Sequence, residues 1–168
     1  MGDQIGEIVK GNIYYIPFKE FKDLENHNLS ENEKVKIFSN MCRVNILFMI
    51  ANAGSGHIGS SFSSIEIMSL IYKKYIQKSP KSNIFFSSKG HDAPALYNVL
   101  ISEGLLEFEN LFKLRRINGL PGHPDINTKN IITNTGSLGM GISKAKGMIS
   151  ADRLKGKKKQ YFVLLGDC

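Results

Sequence analysis

Apolar positions along the chain change period several times, and the changes mark out its elements. Val35, Phe38, Met41, Val44, Phe48 and Met49 recur at helical spacing and predict a helix reaching about Ala53. Ser30 and Glu33 stand before it as a capping box. A glycine–serine loop over residues 54–61 follows. A second Ser/Glu pair, Ser63 and Glu66, predicts the opening of a helix that carries Ile67, Leu70, Ile71 and Tyr75 and ends near Pro80. Ile84, Phe85 and Phe86 form a short apolar run expected to be a buried strand. A helix over about 93–103 should stop at Gly104, with a shorter one over about 108–115. The last quarter reads as a βαβ unit. An apolar run at Ile131, Ile132 and Thr133 leads into a glycine loop, a helix and a second run over 161–165. Helix-covered parallel strands make the fold class α/β.

Residues 1–29 lack a clear period and are taken as an N-terminal extension, with residues 30–168 as one domain. Within the extension, Ile13, Tyr14, Tyr15 and Ile16 are expected to form a short strand that Pro17 ends. The chain has 168 residues, enough to bury a real core. No apolar run is long enough to span a bilayer, and the start lacks a signal peptide's basic and apolar stretches, so a cytoplasmic protein with no membrane partner is expected. Of the two cysteines, Cys42 lies in a helical apolar pattern and reads as a buried thiol rather than half of a disulfide. The formal charge is +7, with lysines at 155, 157, 158 and 159. Such a cluster can hold nucleic acid through phosphates, but aromatic residues are not interleaved with it and no recognised module is present. A solvated helix end, where lysines complement the dipole, is the favoured reading, with no nucleic-acid partner.

Chemistry concentrates in loops. Gly136, Gly139 and Gly141 allow close backbone approach and set free N–H groups at a helix N-terminus, where an anion is welcome. The spacing is neither a Walker loop nor a dinucleotide fingerprint. Asp167 follows the last strand at its carboxyl end and suits a hard cation that bridges to phosphate. A diphosphate cofactor with its metal is the natural occupant. Three of the four histidines, His57, His91 and His123, each follow a glycine in a loop. With Asp167 they make a conceivable zinc set, but no pair has the His-x-x-x-His spacing and the cysteines lack ligand spacing. Imidazoles facing phosphate and sugar hydroxyls, able to move protons near neutral pH, fit the glycine loop better.

Five stretches in fixed order carry a resemblance. They are Ser55-Gly56-His57-Ile58-Gly59-Ser60-Ser61; Ser87-Ser88-Lys89-Gly90-His91-Asp92-Ala93-Pro94-Ala95-Leu96-Tyr97; Pro121-Gly122-His123-Pro124; Thr135-Gly136-Ser137-Leu138-Gly139-Met140-Gly141; and Leu165-Gly166-Asp167. Together they resemble the transketolase family, most of all the stand-alone N-terminal half found where the enzyme is split into two chains. The resemblance implies a three-layer thiamine-diphosphate-binding fold with a mostly parallel sheet. It implies thiamine diphosphate and Mg²⁺ or Ca²⁺ as cofactors, and transfer of a two-carbon ketol unit between sugar phosphates. By similarity His57 and His123 face the donor sugar and the reacting thiazolium, as the catalytic residues. His91, Gly136, Ser137, Leu138, Gly139, Gly141, Gly166 and Asp167 line the cofactor, and Asp167 binds the metal. The protein supplies position and charge, while the cofactor serves as electron sink.

The family's metal motif runs Gly-Asp-Gly and continues to a downstream asparagine. Here Cys168 stands in place of the second glycine, and the sequence ends there. The expectation is therefore a sheet incomplete at the C-terminus and a truncated section that needs a completing partner, either a transketolase C-terminal section or a second subunit in a homo- or hetero-oligomer. The alternative is a truncated, non-catalytic remnant or interaction module of the same family, with exposed apolar surface that self-associates.

Overall fold

The computed structural model describes residues 12–166. That span holds five α-helices and a two-stranded parallel sheet: α1 (Phe18–Asn26), α2 (Glu31–Ala53), α3 (Ile58–Ile71), β1 (Asn83–Ser87), α4 (Ala93–Ser102), α5 (Gly141–Leu154) and β2 (Gln160–Leu164). The architecture is thus α/β. Among the described residues no helix is long and apolar enough to cross a membrane.

The α4 helix lies at the centre. All ten of its residues are buried, as expected of a helix that is apolar around its whole circumference. Its one amide, Asn98, donates to the Pro94 carbonyl at 2.9 Å. Packed on α4 are Phe38, Cys42, Ile46 and Met49 of α2, and Ile65 and Met68 of α3. Cys42 is a buried free thiol, as the helical pattern predicts. The Ser30–Glu33 capping box is present in full: the Ser30 hydroxyl accepts from the Glu33 N–H and the Glu33 carboxylate accepts from the Ser30 N–H at 2.9 Å.

The second capping box is absent. α3 begins five residues earlier than Ser63, with His57 at its N-cap, so residues 58–61 are helix rather than loop. Ser63 instead donates to the Ser60 carbonyl, and Glu66 pairs with Arg43 of α2. The serines at 61, 64 and 69 take the buried side, while Ile67 and Leu70 face outward. Small side chains let α3 lie close to its neighbours, and this outweighs the apolar stripe.

Two strand expectations also fail. Ile131, Ile132 and Thr133 form no strand, because their surroundings commit the backbone to turns. Asn130 is left-handed (φ 63°), the Ile131 N–H donates to the Thr128 carbonyl, and the Thr135 N–H donates to the Pro124 carbonyl. The parallel partner of β2 is β1, with Asn83 opposite Gln160 and Ser87 opposite Leu164. Residues 13–16 are not a strand either. The Asn45 side chain holds the Ile16 N–H at 2.6 Å and the Ile16 carbonyl at 3.0 Å, and Tyr15 inserts among Phe48, Phe108 and Phe112. Pro17 then caps α1, which buries Phe21 and Leu24. The short helix expected near 108–115 is a 3₁₀ turn over Phe108–Phe112.

Candidate functional site

The site forms where the two parallel strands end. Ser87 and Ser88 leave β1, Leu165 and Gly166 leave β2, and α5 starts beside them. That is the side on which open α/β sheets bind ligands. The ladder extends one bond past the strands, from the Ser88 N–H to the Leu164 carbonyl at 2.8 Å, which ties the two exits together.

Glycines then bring three distant loops into contact. Gly90 is left-handed (φ 71°), and a Cβ there would sit 2.6 Å from the Gly136 Cα. On its other side, a Cβ at Gly136 would sit 3.0 Å from Nδ1 of His123. Only residues without side chains fit such backbone-to-backbone and backbone-to-ring approaches. Gly141 lies equally close to Ser88, and its N–H donates to the Ser88 hydroxyl at 2.9 Å, which fixes the start of α5.

The sequence-predicted residues converge as follows. His57 is the exposed N-cap of α3, and its ring packs edge-to-face on His91 with centroids 5.6 Å apart. His91 is half-buried in a tight turn, its N–H donating to the Lys89 carbonyl. His123 is exposed and is anchored through its carbonyl, which accepts from the buried Tyr97 hydroxyl at 3.1 Å. Ser137, Leu138 and Gly139 are exposed at the rim of the α5 N-terminus, Gly136 is half-buried and Gly141 is buried. Gly166 rests on the aliphatic stem of Lys89, with the Cγ 2.7 Å from where a Cβ would be. Asp167 lies outside the described residues. Among the described residues no cluster of three His, Cys, Asp or Glu groups has metal-holding geometry.

The electrostatics favour an anion. Partial desolvation by the adjoining loops pushes the exposed His123 imidazole below the ordinary histidine range, and the charges of Arg115, His57 and His91 push it the same way. Beneath His91, Asp92 is fully buried and burial raises its pKa, although the Ser87 hydroxyl donates to it at 2.7 Å and Lys89 lies close. The Lys89 side chain is also buried, and among the described residues its ammonium donates to the Ser63 and Ser64 hydroxyls, at 3.5 and 3.4 Å. Thr135 Oγ1 and Asp92 Oδ1 are buried without a partner among the described residues. Orphaned polar atoms at such a place suit a polar ligand. Sequence reasoning placed no role on Lys89, Asp92 or Tyr97, although all three stand within the motif around His91. It passed over Arg115, whose signal is the Arg115-Arg116 pair shortly before Gly122-His123.

Residues 35–161 match the family model described as "Transketolase, thiamine diphosphate binding domain". The chain is 31% identical over 149 residues to an apulose-4-phosphate transketolase subunit of Actinobacillus succinogenes, covering 84% of this chain and 54% of that protein. It is 33% identical over 155 residues to human transketolase, covering 86% of this chain and 25% of that protein. It is also 34% identical over 137 residues to the 6-deoxy-6-sulfo-D-fructose transketolase subunit SqwG of a Clostridium species, covering 77% of this chain and 50% of that protein. The chain thus spans about half of the two bacterial proteins and a quarter of the human enzyme.

Proposed function

The chain belongs to the transketolase family, and from that premise we propose that it binds thiamine diphosphate with a divalent metal, Mg²⁺ or Ca²⁺, for two-carbon ketol transfer between sugar phosphates, together with a completing chain. The observation that carries this reading is the contact of Gly90 with Gly136 and of Gly136 with His123. It draws the loops of His91, the α5 N-terminus and His123 into one wall.

The residues present fit the cofactor. The α5 N-terminus and its glycine loop offer main-chain N–H groups to a diphosphate. The orphaned Thr135 hydroxyl lies beside that loop. Thiamine diphosphate supplies the electron sink that ketol transfer needs. Around it, His91, Gly166 and the backbone of 136–141 orient the diphosphate, and Asp167 is assigned the metal from the resemblance of the Leu165-Gly166-Asp167 motif. His57 and His123 face the sugar. His123, whose pKa partial desolvation and the neighbouring charges lower, is placed to exchange a proton with a sugar hydroxyl. The relatives named as subunits support a partner chain, and an oligomer is the expected working form.

The test is a thermal-shift titration with thiamine diphosphate, with and without Mg²⁺, beside Asp167→Ala. At about a hundred times the dissociation constant, binding stabilises the fold by roughly 2.7 kcal/mol. A metal-dependent rise that the variant loses supports the proposal. The absence of any rise overturns it for this chain and favours the non-catalytic reading. The outward-facing Leu138, Met140, Ile142 and Leu165 would then serve as a contact surface.

A further inference from the structure

The chain leaves β1 at Ser87 and enters α4 after Asp92, and each residue between them reaches a different part of the site. Ser88 Oγ accepts from the Gly141 N–H at the start of α5. The Lys89 stem lies under Gly166, and its ammonium meets Ser63 and Ser64 of α3. Gly90 packs on Gly136, and the His91 ring packs on that of His57. The shape of this one loop therefore sets how the parts of the site stand to one another.

Its two ends are tied together by side chains. Ser87 Oγ donates to Asp92 Oδ2 at 2.7 Å and accepts from the Lys89 N–H at 3.2 Å, so a single hydroxyl links the carboxylate to the middle of the loop. Asp92 is also the N-cap residue of α4, where an aspartate ordinarily accepts from N–H groups of the first helical turn. Here it makes no such bond, and the carboxylate turns back to Ser87 instead. It is fully buried, and its Oδ1 has no partner among the described residues. Burying a carboxylate that is only half satisfied costs stability. A side chain kept at that cost, and withheld from capping its own helix, is placed to serve the loop.

We propose that Asp92 is a positioning residue of the site: through Ser87 it fixes the loop from which His91 meets the diphosphate. Its contribution is the hydrogen bond it accepts, not its charge. The identity of the ligand rests on the thiamine diphosphate reading, whereas the closure of the loop stands on the hydrogen bonds alone.

The experiment measures thiamine diphosphate affinity by calorimetric titration in the presence of Mg²⁺, and the contact of the His57 and His91 rings by their NMR cross-peak, in the full chain and its variants. Asp92→Ala removes the acceptor, Asp92→Asn keeps an oxygen for Ser87 without the charge, and Ser87→Ala removes the hydroxyl. Urea unfolding gives the folded fraction of each, and affinity is taken per folded molecule. Asp92→Ala and Ser87→Ala should each weaken binding by about tenfold and lose the ring cross-peak. The double variant should bind no more weakly than either single one, since both changes break the same link. Asp92→Asn should keep the cross-peak and bind within about twofold of the parent. Ser87→Ala leaves the buried carboxylate in place, so the test does not depend on Asp92→Ala folding. Additive losses in the double variant overturn the proposal. So does an Asp92→Asn variant as weak as Asp92→Ala, which would make the charge the working feature, and so does full affinity with an intact cross-peak in Ser87→Ala. If the parent chain binds no thiamine diphosphate, the functional reading falls, and the ring cross-peak decides the positioning role by the same comparisons.

Discussion

Gly90 shows how one position can hold a site together. Alanine there meets two penalties at once, a left-handed backbone and a Cβ 2.6 Å from the Gly136 Cα. Neither can relax without parting the His91 loop from the α5 N-terminus. Gly90→Ala should cost at least about 2 kcal/mol in urea unfolding and should weaken thiamine diphosphate binding out of proportion to that loss. His123 makes a second prediction at this scale. Partial desolvation and the Arg115 charge hold its folded-state pKa below the ordinary histidine value, so its stabilising contribution is present above that value and is lost as pH falls through the folded one. An NMR titration should find His123 protonating below the usual range and moving upward in Arg115→Asn. The histidines themselves were legible, since Gly-His recurs three times in the sequence. Their convergence was expected from the resemblance, but the contacts that produce it depend on which glycine touches which, and spacing along a chain does not carry that. Nor does the sequence reveal that the Arg115 guanidinium has no acceptor among the described residues.

At the scale of elements, capping chemistry was legible where the apolar pattern and the cap agreed, and misleading where they did not. Ser30 and Glu33 precede a long apolar helix and form the box in full, so Ser30→Ala should cost about 1 kcal/mol in thermal or urea unfolding. Ser63 and Glu66 share the spacing, yet α3 is already one turn old when it reaches Ser63, and Glu66 is drawn to Arg43. Buried serines on α3 defeat the usual reading of a helix face, in which polar means outward. The apolar triplet at 131–133 misled for a related reason: β-branched residues fit a strand, but here turn bonds and the left-handed Asn130 claim the flanking backbone. α1 left a readable trace in Pro17 followed by Phe18, Phe21 and Leu24. α5 offers a contrast to Gly90. Gly147 is helical with nothing within 4 Å of a would-be Cβ, so Gly147→Ala should stabilise the protein by about 0.5–1 kcal/mol without changing the urea m-value. Opposite signs at two glycines would separate positions that need a bare backbone from those that merely tolerate one.

For the molecule as a whole, the question is what joins α1 and the turn after α3 to the central helix, far from the histidines. Lys73, in the π-helical turn Tyr72–Ile76, touches all three. Its ammonium lies 2.5 Å from Glu25 of α1 and 2.8 Å from Glu103 at the end of α4, and it sits over the Phe38 ring of α2 at 4.4 Å. Gln77 adds a bond to the same Glu103 carboxylate. The Glu103 side chain is only 3% exposed and that of Lys73 11%, so neither charge is well hydrated. Burial acts against the Lys73 charge, but the attraction of Glu103 and Glu25 outweighs it and holds the pKa above the ordinary lysine value. The contribution is therefore complete below that ordinary value and is lost as pH rises through the folded one. Removing the lysine strands a buried carboxylate, so Lys73→Met should cost about 3–5 kcal/mol near neutral pH. Lys78 pairs with Glu31 at a surface where both side chains are at least 60% exposed, and Lys78→Met should cost at most about 1 kcal/mol. The double change Lys73→Met with Glu103→Leu should recover much of the loss, since a packed apolar pair needs no hydration. Urea unfolding of the three variants decides the matter. A Lys73→Met loss no larger than that of Lys78→Met would mean that the ion pair adds nothing to the joint and that packing, Phe21 and Leu24 included, holds α1.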